Sequence, residues 1–186
     1  MASAAGDSNQ VAASSRARVA RRSGVPLRLF AAKVLVGWLP PFVGGRLRTQ
    51  VLRGLGLRVG KRSAFWHLPE LIGSGALHER LTIGDDCGFN RGCVFELAAP
   101  ISIGNHVAAG HDVMFLTTAP GRPDTEETAK PIVVGDGVWL GARATVMPGV
   151  TIGAGSVIAA GVTVNQDVPE NTLLTGGPPI SIAKWR

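Results

Sequence analysis

Between Ile132 and Val164 the apolar positions recur at a step that belongs neither to a helix nor to a simple alternating strand. Val134, Leu140, Val146, Ile152, Ile158 and Val164 follow one another every six residues, and Ile132, Val138, Ala144, Val150, Ser156 and Val162 precede each of them by two. Two inward positions two apart make a short strand with alternating faces. The small residue that follows, as in Gly135, Gly141, Gly153 and Ala159, lets the backbone turn a corner without a side-chain clash. Three such strands close a triangular coil of about eighteen residues, and stacked coils bury one continuous aliphatic column. The same frame holds Ile103, Ala109 and Phe115, and Ile83, Phe89 and Phe95, which brings the hexads to twelve from residue 81 onward. Residues 83–100, 101–118, 132–149 and 150–167 are each one coil long. Glycine and β-branched residues at this step are wrong for a buried helix. The pattern predicts an all-β parallel β-helix of about four to five coils.

Two segments depart from the repeat. Ala119 to Pro131, reading APGRPDTEETAKP, is polar and bounded by proline between two intact coils, so it is expected to be extruded as a loop, a place where function concentrates. Residues 25–58 alternate apolar clusters with Arg and Lys, and Leu47, Val51, Leu52 and Leu55 keep a helical step. Two short amphipathic helices are predicted there, broken at Pro40-Pro41 and Gly44-Gly45. Either they pack on the following domain or a neighbouring subunit, or their basic flanks and apolar face make peripheral contact with an anionic membrane. Residues 1–24 read as a disordered basic tail, and residues 59–186 as the β-helix domain.

Charge sharpens this division. The chain of 186 residues carries a formal +6, but residues 1–62 hold twelve Lys and Arg against Asp7 alone, while residues 63–186 hold seven against twelve acids. The body is acidic and poor in aromatics, which argues against nucleic acid as a partner. Cys87 and Cys93 are too few for a disulfide scaffold and fall on different faces of the triangle, so they are expected as small core or corner residues. The N-terminal segment lacks the apolar core of a secretory signal, and the run Leu29 to Leu39 is too short to span a bilayer. A cytoplasmic protein is expected, with membrane association the open alternative. Four scattered histidines and two cysteines make no metal-ligand cluster, and no metal is expected.

Several motifs in combination resemble a known family. They are Ile83-Gly-Asp-Asp, Phe89-Asn-Arg-Gly-Cys, Pro100-Ile-Ser-Ile-Gly-Asn, Lys130-Pro-Ile-Val-Val-Gly-Asp-Gly-Val-Trp-Leu-Gly-Ala, Pro148-Gly-Val-Thr-Ile-Gly and Asp167-Val-Pro-Glu-Asn. Together they are similar to the hexapeptide-repeat acyltransferases, in the branch of maltose, galactoside and polysaccharide O-acetyltransferases. The resemblance implies a left-handed β-helix, although the usual rule for parallel crossovers gives the opposite hand. It also implies a homotrimer, acetyl-CoA as acyl donor, and a hydroxylated small molecule or glycan as acceptor.

Such a reaction needs a base within reach of the acceptor hydroxyl and a preorganised N–H for the oxyanion. By resemblance, Asn90 places the acceptor, the N–H of Ala142 after Gly141 meets the thioester carbonyl, and the cofactor runs along Ala160, Asn165 and Gln166. The family's histidine base maps to Ala119 or Pro120, neither of which titrates. The family's cations at the CoA 3′-phosphate map to Gln166 and Ile180, a loss that weakens a phosphate site, with Arg143, Lys184 and Arg186 as candidate substitutes. His111 is the nearest replacement base: a coil-to-coil shift of twenty sets Asn90 over Gly110 and Arg91 over His111. Its alternative is a solvated corner histidine. Trp139 either packs on the outer face or against a neighbour's loop, or lines the pantetheine channel. The acid pairs Asp85-Asp86 and Glu126-Glu127 are expected in solvated turns. A vacated base site, a relocated one, and a non-catalytic trimeric scaffold all remain open.

Overall fold

The computed structural model describes residues 44–73, 75–118 and 129–176, together with Val34 and the backbone of 180–181. A short helix precedes three parallel sheets that wind around one core. The first sheet orders β1 (Arg58–Val59), β4 (Leu81–Ile83), β7 (Ile101–Ile103), β10 (Ile132–Val134) and β13 (Thr151–Ile152). The second orders β2 (Ala64–Phe65), β5 (Gly88–Phe89), β8 (Ala108–Ala109), β11 (Trp139–Leu140), β14 (Val157–Ile158) and β16 (Thr172–Leu174). The third orders β3 (Glu70–Ile72), β6 (Val94–Glu96), β9 (Met114–Phe115), β12 (Thr145–Val146) and β15 (Thr163–Val164). Consecutive strands therefore lie in different sheets, and each strand pairs with its counterpart one coil away, which is the β-helix that the six-residue step predicts.

The first coil, β1 to β3, lies before the point where the hexads were expected to begin. Leu57, Val59, Ser63 and Phe65 are buried in the same inward places as the later pairs. An insertion carrying a 3-10 turn, Leu77–Glu79, separates this coil from the next and conceals the period. The registers show where residues are inserted. Val59 faces Ile83 at a shift of 24, Ile83 faces Ile103 at 20, Ile103 faces Val134 at 31, and Val134 faces Ile152 at 18. The excess of 31 over 18 equals the thirteen residues 119–131, of which 119–128 lie outside the described residues, and the coils on either side of them pair directly. Across this segment the Lys130 N–H donates to the Thr117 carbonyl at 2.9 Å.

Aromatic rings fill the core of the first three coils. Phe65 stacks on Phe89 with centroids 4.8 Å apart, Phe95 stacks on Phe115 at 4.8 Å, and Phe89 meets Phe95 edge to face at 5.7 Å. All four are buried. Ala109 follows Phe89 in the second sheet, and from there the column is aliphatic through Leu140 and Ile158.

The corners work differently from the expectation that the small residue itself makes the turn. A Cβ on Gly84 would lie 2.5 Å from the Gly104 carbonyl oxygen, and one on Gly135 would lie 2.6 Å from the Ala154 nitrogen. These glycines let one coil approach the next. The left-handed backbone falls two residues later, at Arg62, Asp86, His106, Asp112 and Arg143, with φ between 56° and 60°. On the first corner, side chains close the turns. Asp85 Oδ1 accepts the Lys61 N–H at 2.6 Å, Asn105 Oδ1 accepts that of Asp85 at 2.9 Å, and Asp136 Oδ1 accepts that of Asn105 at 2.7 Å. Asp86 pairs with Arg62, whose hydrogen bond holds the carboxyl below its ordinary range. Asp85 and Asp86 therefore hold coils together, while Glu126-Glu127 lies outside the described residues.

Helix α1 (Gly45–Gly54) corresponds to the second expected helix; the first lies outside the described residues apart from Val34. The face that α1 buries is not the stripe of Leu47, Val51, Leu52 and Leu55. Leu52 is buried as expected, but Leu47 is 47% exposed while Arg48 and Thr49 are 1% exposed. The first coil has no coil before it, so its carbonyls need other donors. Arg48 donates to the Trp66 carbonyl at 2.8 Å, and Arg53 to those of Val59 and Gly60. The demand for donors draws arginine inward and turns the helix on its axis. At the other end, β17 (Ile180–Ser181) pairs antiparallel with β16 and covers that edge. Among the described residues, no helix is long and apolar enough to cross a membrane.

Because coil stacking depends on close approach, Gly84→Val is expected to lower stability by more than about 2 kcal/mol, at or above the ordinary overpacking cost. Gly54→Ala, whose added Cβ meets nothing within 4 Å, is expected to raise it by about 0.5 kcal/mol. Denaturant midpoints of the two variants check both, and equal midpoints contradict the assignment. Phe95→Ala is expected to cost about 3–5 kcal/mol in the same measurement.

Candidate functional site

The second corner, where the second sheet passes to the third, differs from the first in what its side chains do. Asn90 stands at the inter-coil position that Gly110, Gly141 and Ala159 fill on the neighbouring coils. A Cβ at Gly110 would meet the Ala142 nitrogen at 2.6 Å, and one at Gly141 would meet the Ala160 nitrogen at 2.5 Å. On the preceding coil the same position holds Trp66, and on the last coil Thr175, so Asn90 borders a run of three small residues, Gly110, Gly141 and Ala159. The Asn90 Oδ1 accepts the Arg91 N–H at 2.8 Å, which fixes the side chain against its own turn.

The shift of twenty holds: Phe89 faces Ala109, the Asn90 N–H donates to the Ala109 carbonyl at 3.0 Å, and the Asp112 N–H to the Arg91 carbonyl at 2.9 Å. At the next step Leu140 faces Ala109, and the Arg143 N–H donates to the His111 carbonyl at 2.8 Å. Three levels result, Asn90-Arg91, Gly110-His111 and Gly141-Ala142. His111 thus sits one level from Asn90 on one side and one level from Ala142 on the other, with coils about 4.8 Å apart. It is exposed, as are Arg91 and Arg143. Among the described residues, nothing accepts a hydrogen bond from the N–H of His111, Ala142 or Ala160. The first corner closes the N–H groups of Lys61, Asp85 and Asn105 with Asp and Asn side chains and, among the described residues, leaves those of Asp136 and Ala154 without an acceptor; here all three form a column of donors at one-coil spacing.

The other expected residues divide. Ala160 is exposed on the second corner, whereas Asn165 and Gln166 are exposed beyond β15, on the third corner where the third sheet passes back to the first. Trp139 lies on the outer face of β11, 46% exposed. It lines an open groove of about 640 Å³ with His106, Asp136, Val157 and Glu170. Within one chain that groove contains neither Ala142 nor Ala160, so the ring is placed on the prism's outer face and not in line with the donor column. Ala119, Pro120, Lys184 and Arg186 lie outside the described residues. Among the described residues no group of three His, Cys, Asp or Glu is placed to hold a metal ion.

Sequence reasoning passed over Glu96. Its carboxylate accepts the N–H groups of Thr117 and Thr118, both at 3.0 Å, and the Thr118 hydroxyl at 2.5 Å. These three bonds tie down the chain at the point where the segment 119–131 leaves the coil. Only the coil-to-coil register brings residues 96 and 118 together, so no local motif signals the contact. Cys87 and Cys93 are buried free thiols. Burial raises both, with Cys93 pushed up to about 12.

Fold and corner together define a class, the β-helical transferases built on hexapeptides. A family model described as bacterial transferase hexapeptide (six repeats) matches residues 131–166. The hexapeptide-repeat containing acetyltransferase of Vibrio cholerae, solved in complex with acetyl coenzyme A, is 32% identical, with 88% of this chain and 92% of that one covered and a TM-score of 0.65. A maltose O-acetyltransferase of Clostridium difficile 630 is 27% identical over 86% of this chain and 85% of its own, with a TM-score of 0.71. A putative acetyltransferase of Schizosaccharomyces pombe is 45% identical over 100 residues, 51% of this chain and 48% of its own length. The chain belongs to the hexapeptide-repeat acetyltransferases, and its parallel solenoid of about five coils is consistent with the left-handed β-helix that the sequence resemblance implies. It spans about half the length of the curated relatives it matches.

With both thiols buried and their charged forms disfavoured, neither is expected to react with a thiol reagent at pH 8 in the folded protein, and both in denaturant. Stoichiometric modification of the native protein within minutes contradicts this placement.

Proposed function

We propose that the chain is an acetyl-CoA-dependent O-acetyltransferase acting as a homotrimer on a hydroxyl of a sugar or glycan precursor, with His111 as the relocated base. The observation that carries the proposal is the stacking of Asn90, His111 and the Ala142 N–H on three successive levels of one corner. Acetyl-CoA complexes of related enzymes support the donor. The Asn90 amide orients the acceptor. His111 takes the hydroxyl proton as the oxygen attacks the thioester carbonyl carbon, and the Ala142 N–H receives the oxyanion that forms. Collapse breaks the carbon–sulfur bond, and His111 returns its proton to the departing thiolate.

Thiol release from acetyl-CoA in the presence of acceptor tests the assignment. His111→Ala is expected to lower the rate by about 10² to 10⁴-fold, the usual share of a general base. Restoring histidine by Ala119→His, and separately by Pro120→His, is expected to change little. A large gain at either position, with His111→Ala indifferent, identifies a vacated site and overturns the role of His111.

A second reading is favoured by the missing histidine at 119 and 120 and by Gln166 and Ile180 in place of phosphate-binding cations: a trimer that binds a glycan or partner without turnover. Calorimetry with CoA separates the two. Micromolar binding supports the enzyme, and none at millimolar supports the scaffold.

A further inference from the structure

We propose that the second corner also reads a negative charge on the acceptor, so that the substrate is an acidic sugar or glycan bearing a carboxylate or phosphate near the acetylated hydroxyl. The inference rests on the site proposed above and adds the chemical class of its substrate.

The starting point is the scarcity of positive charge on the body. Residues 63–186 contain seven Lys and Arg against twelve acids. Four of these cations fall among the described residues, and two have other tasks. Arg80 donates to the carbonyls of Leu97 and Ala98 at 2.9 and 3.3 Å, and the Lys130 stem lies against Gly149 on the third corner. The other two, Arg91 and Arg143, flank His111 on the corner that carries Asn90 and the Ala142 N–H. The Arg91 guanidinium makes no hydrogen bond or ion pair among the described residues. Arg143 leans on Asp112, with Nε 3.9 Å from Oδ2, a separation that leaves its other donors available.

Contrast with the first corner shows that this placement is not general. There Arg62 is neutralised by Asp86, which His106 also approaches at 4.0 Å, so that corner balances its charges within the ladder. On the second corner Asp112 is the single acid at these levels. Arg91, which follows the residue proposed to orient the acceptor, is left with its charge unbalanced. An exposed guanidinium beside a column of free N–H groups fits a planar carboxylate or a phosphate oxygen set, which it bonds with two parallel N–H donors. A neutral sugar gives it nothing to pair with.

Direct binding tests this without depending on turnover. Glucuronate, glucose 6-phosphate and glucose are titrated into the full chain by calorimetry at low salt, and CoA and 3′-dephospho-CoA are titrated in parallel. At least one of the two acidic sugars is expected to bind about ten-fold or more tightly than glucose, and Arg91→Gln is expected to abolish the difference. Arg91→Lys is expected to restore it in part, and Lys130→Gln to leave it intact. Thermal midpoints of the variants confirm folding, since Arg91 is exposed. Equal affinity for acidic and neutral sugars overturns the proposal. So does an Arg91→Gln effect confined to the difference between CoA and dephospho-CoA, which assigns the charge to the cofactor's 3′-phosphate. Discrimination between sugars without any acetyl transfer keeps the acidic-ligand corner and removes the enzyme reading, whereas efficient transfer to neutral and acidic sugars alike does the reverse.

Discussion

Each coil passes its backbone hydrogen-bonding groups to the next, and the structure depends on that transfer being made at close range. Gly84, Gly110, Gly135 and Gly141 each lie so near the following coil that an added Cβ would meet its backbone at 2.5 to 2.6 Å. A strand of two or three residues contributes little alone. Its stability comes from being one rung in a ladder of five or more, so the contact that matters is between coils and not within them. The aromatic stacks of Phe65 on Phe89 and Phe95 on Phe115 follow from the same register, which places like residues one above another.

A ladder has two ends, and both are treated as chemical problems. At the start, carbonyls without a preceding coil draw in Arg48 and Arg53, so the helix is held by hydrogen bonds from charged donors as well as by Leu52. At the finish, an antiparallel strand takes up the edge of the second sheet. Much of the positive charge that gives the chain its high isoelectric point lies before the repeat, and part of it has this structural task. The cations left on the body are few, and that is why the position of Arg91 and Arg143 carries information.

The register that builds the core also assembles the candidate site. One corner is closed by Asp85, Asn105 and Asp136, which take up the turn N–H groups. Among the described residues the other leaves His111, Ala142 and Ala160 with free N–H groups and places Asn90 one level from the first of them. The same backbone thus has its turn N–H groups taken up on the early coils of the first corner and left open along the second, and the difference on those coils lies in the side chain at one position per coil. Glu96 adds a fixed departure point for the segment 119–131 by binding Thr117 and Thr118.

The six-residue period, read from side-chain size alone, determined the β-helix, the thirteen-residue interruption of its register before Ile132 and the inward pairs of four coils. It did so because a repeat states the same local rule many times, so a few exceptions do not hide it. Its count did not extend through the first coil, although residues 59–186 were assigned to the β-helix, because an insertion between Ile72 and Leu81 breaks the period. It misplaced the buried face of α1, because nothing local in the sequence reports carbonyls in need of a donor. The stacking of Arg91 on His111 was legible once a shift of twenty was assumed. That the N–H column beside it is free, that Arg91 lacks a counter-charge among the described residues, and that Glu96 holds Thr118 were decided only by tertiary structure. Those are relations between coils, set by insertions whose lengths differ from one turn to the next.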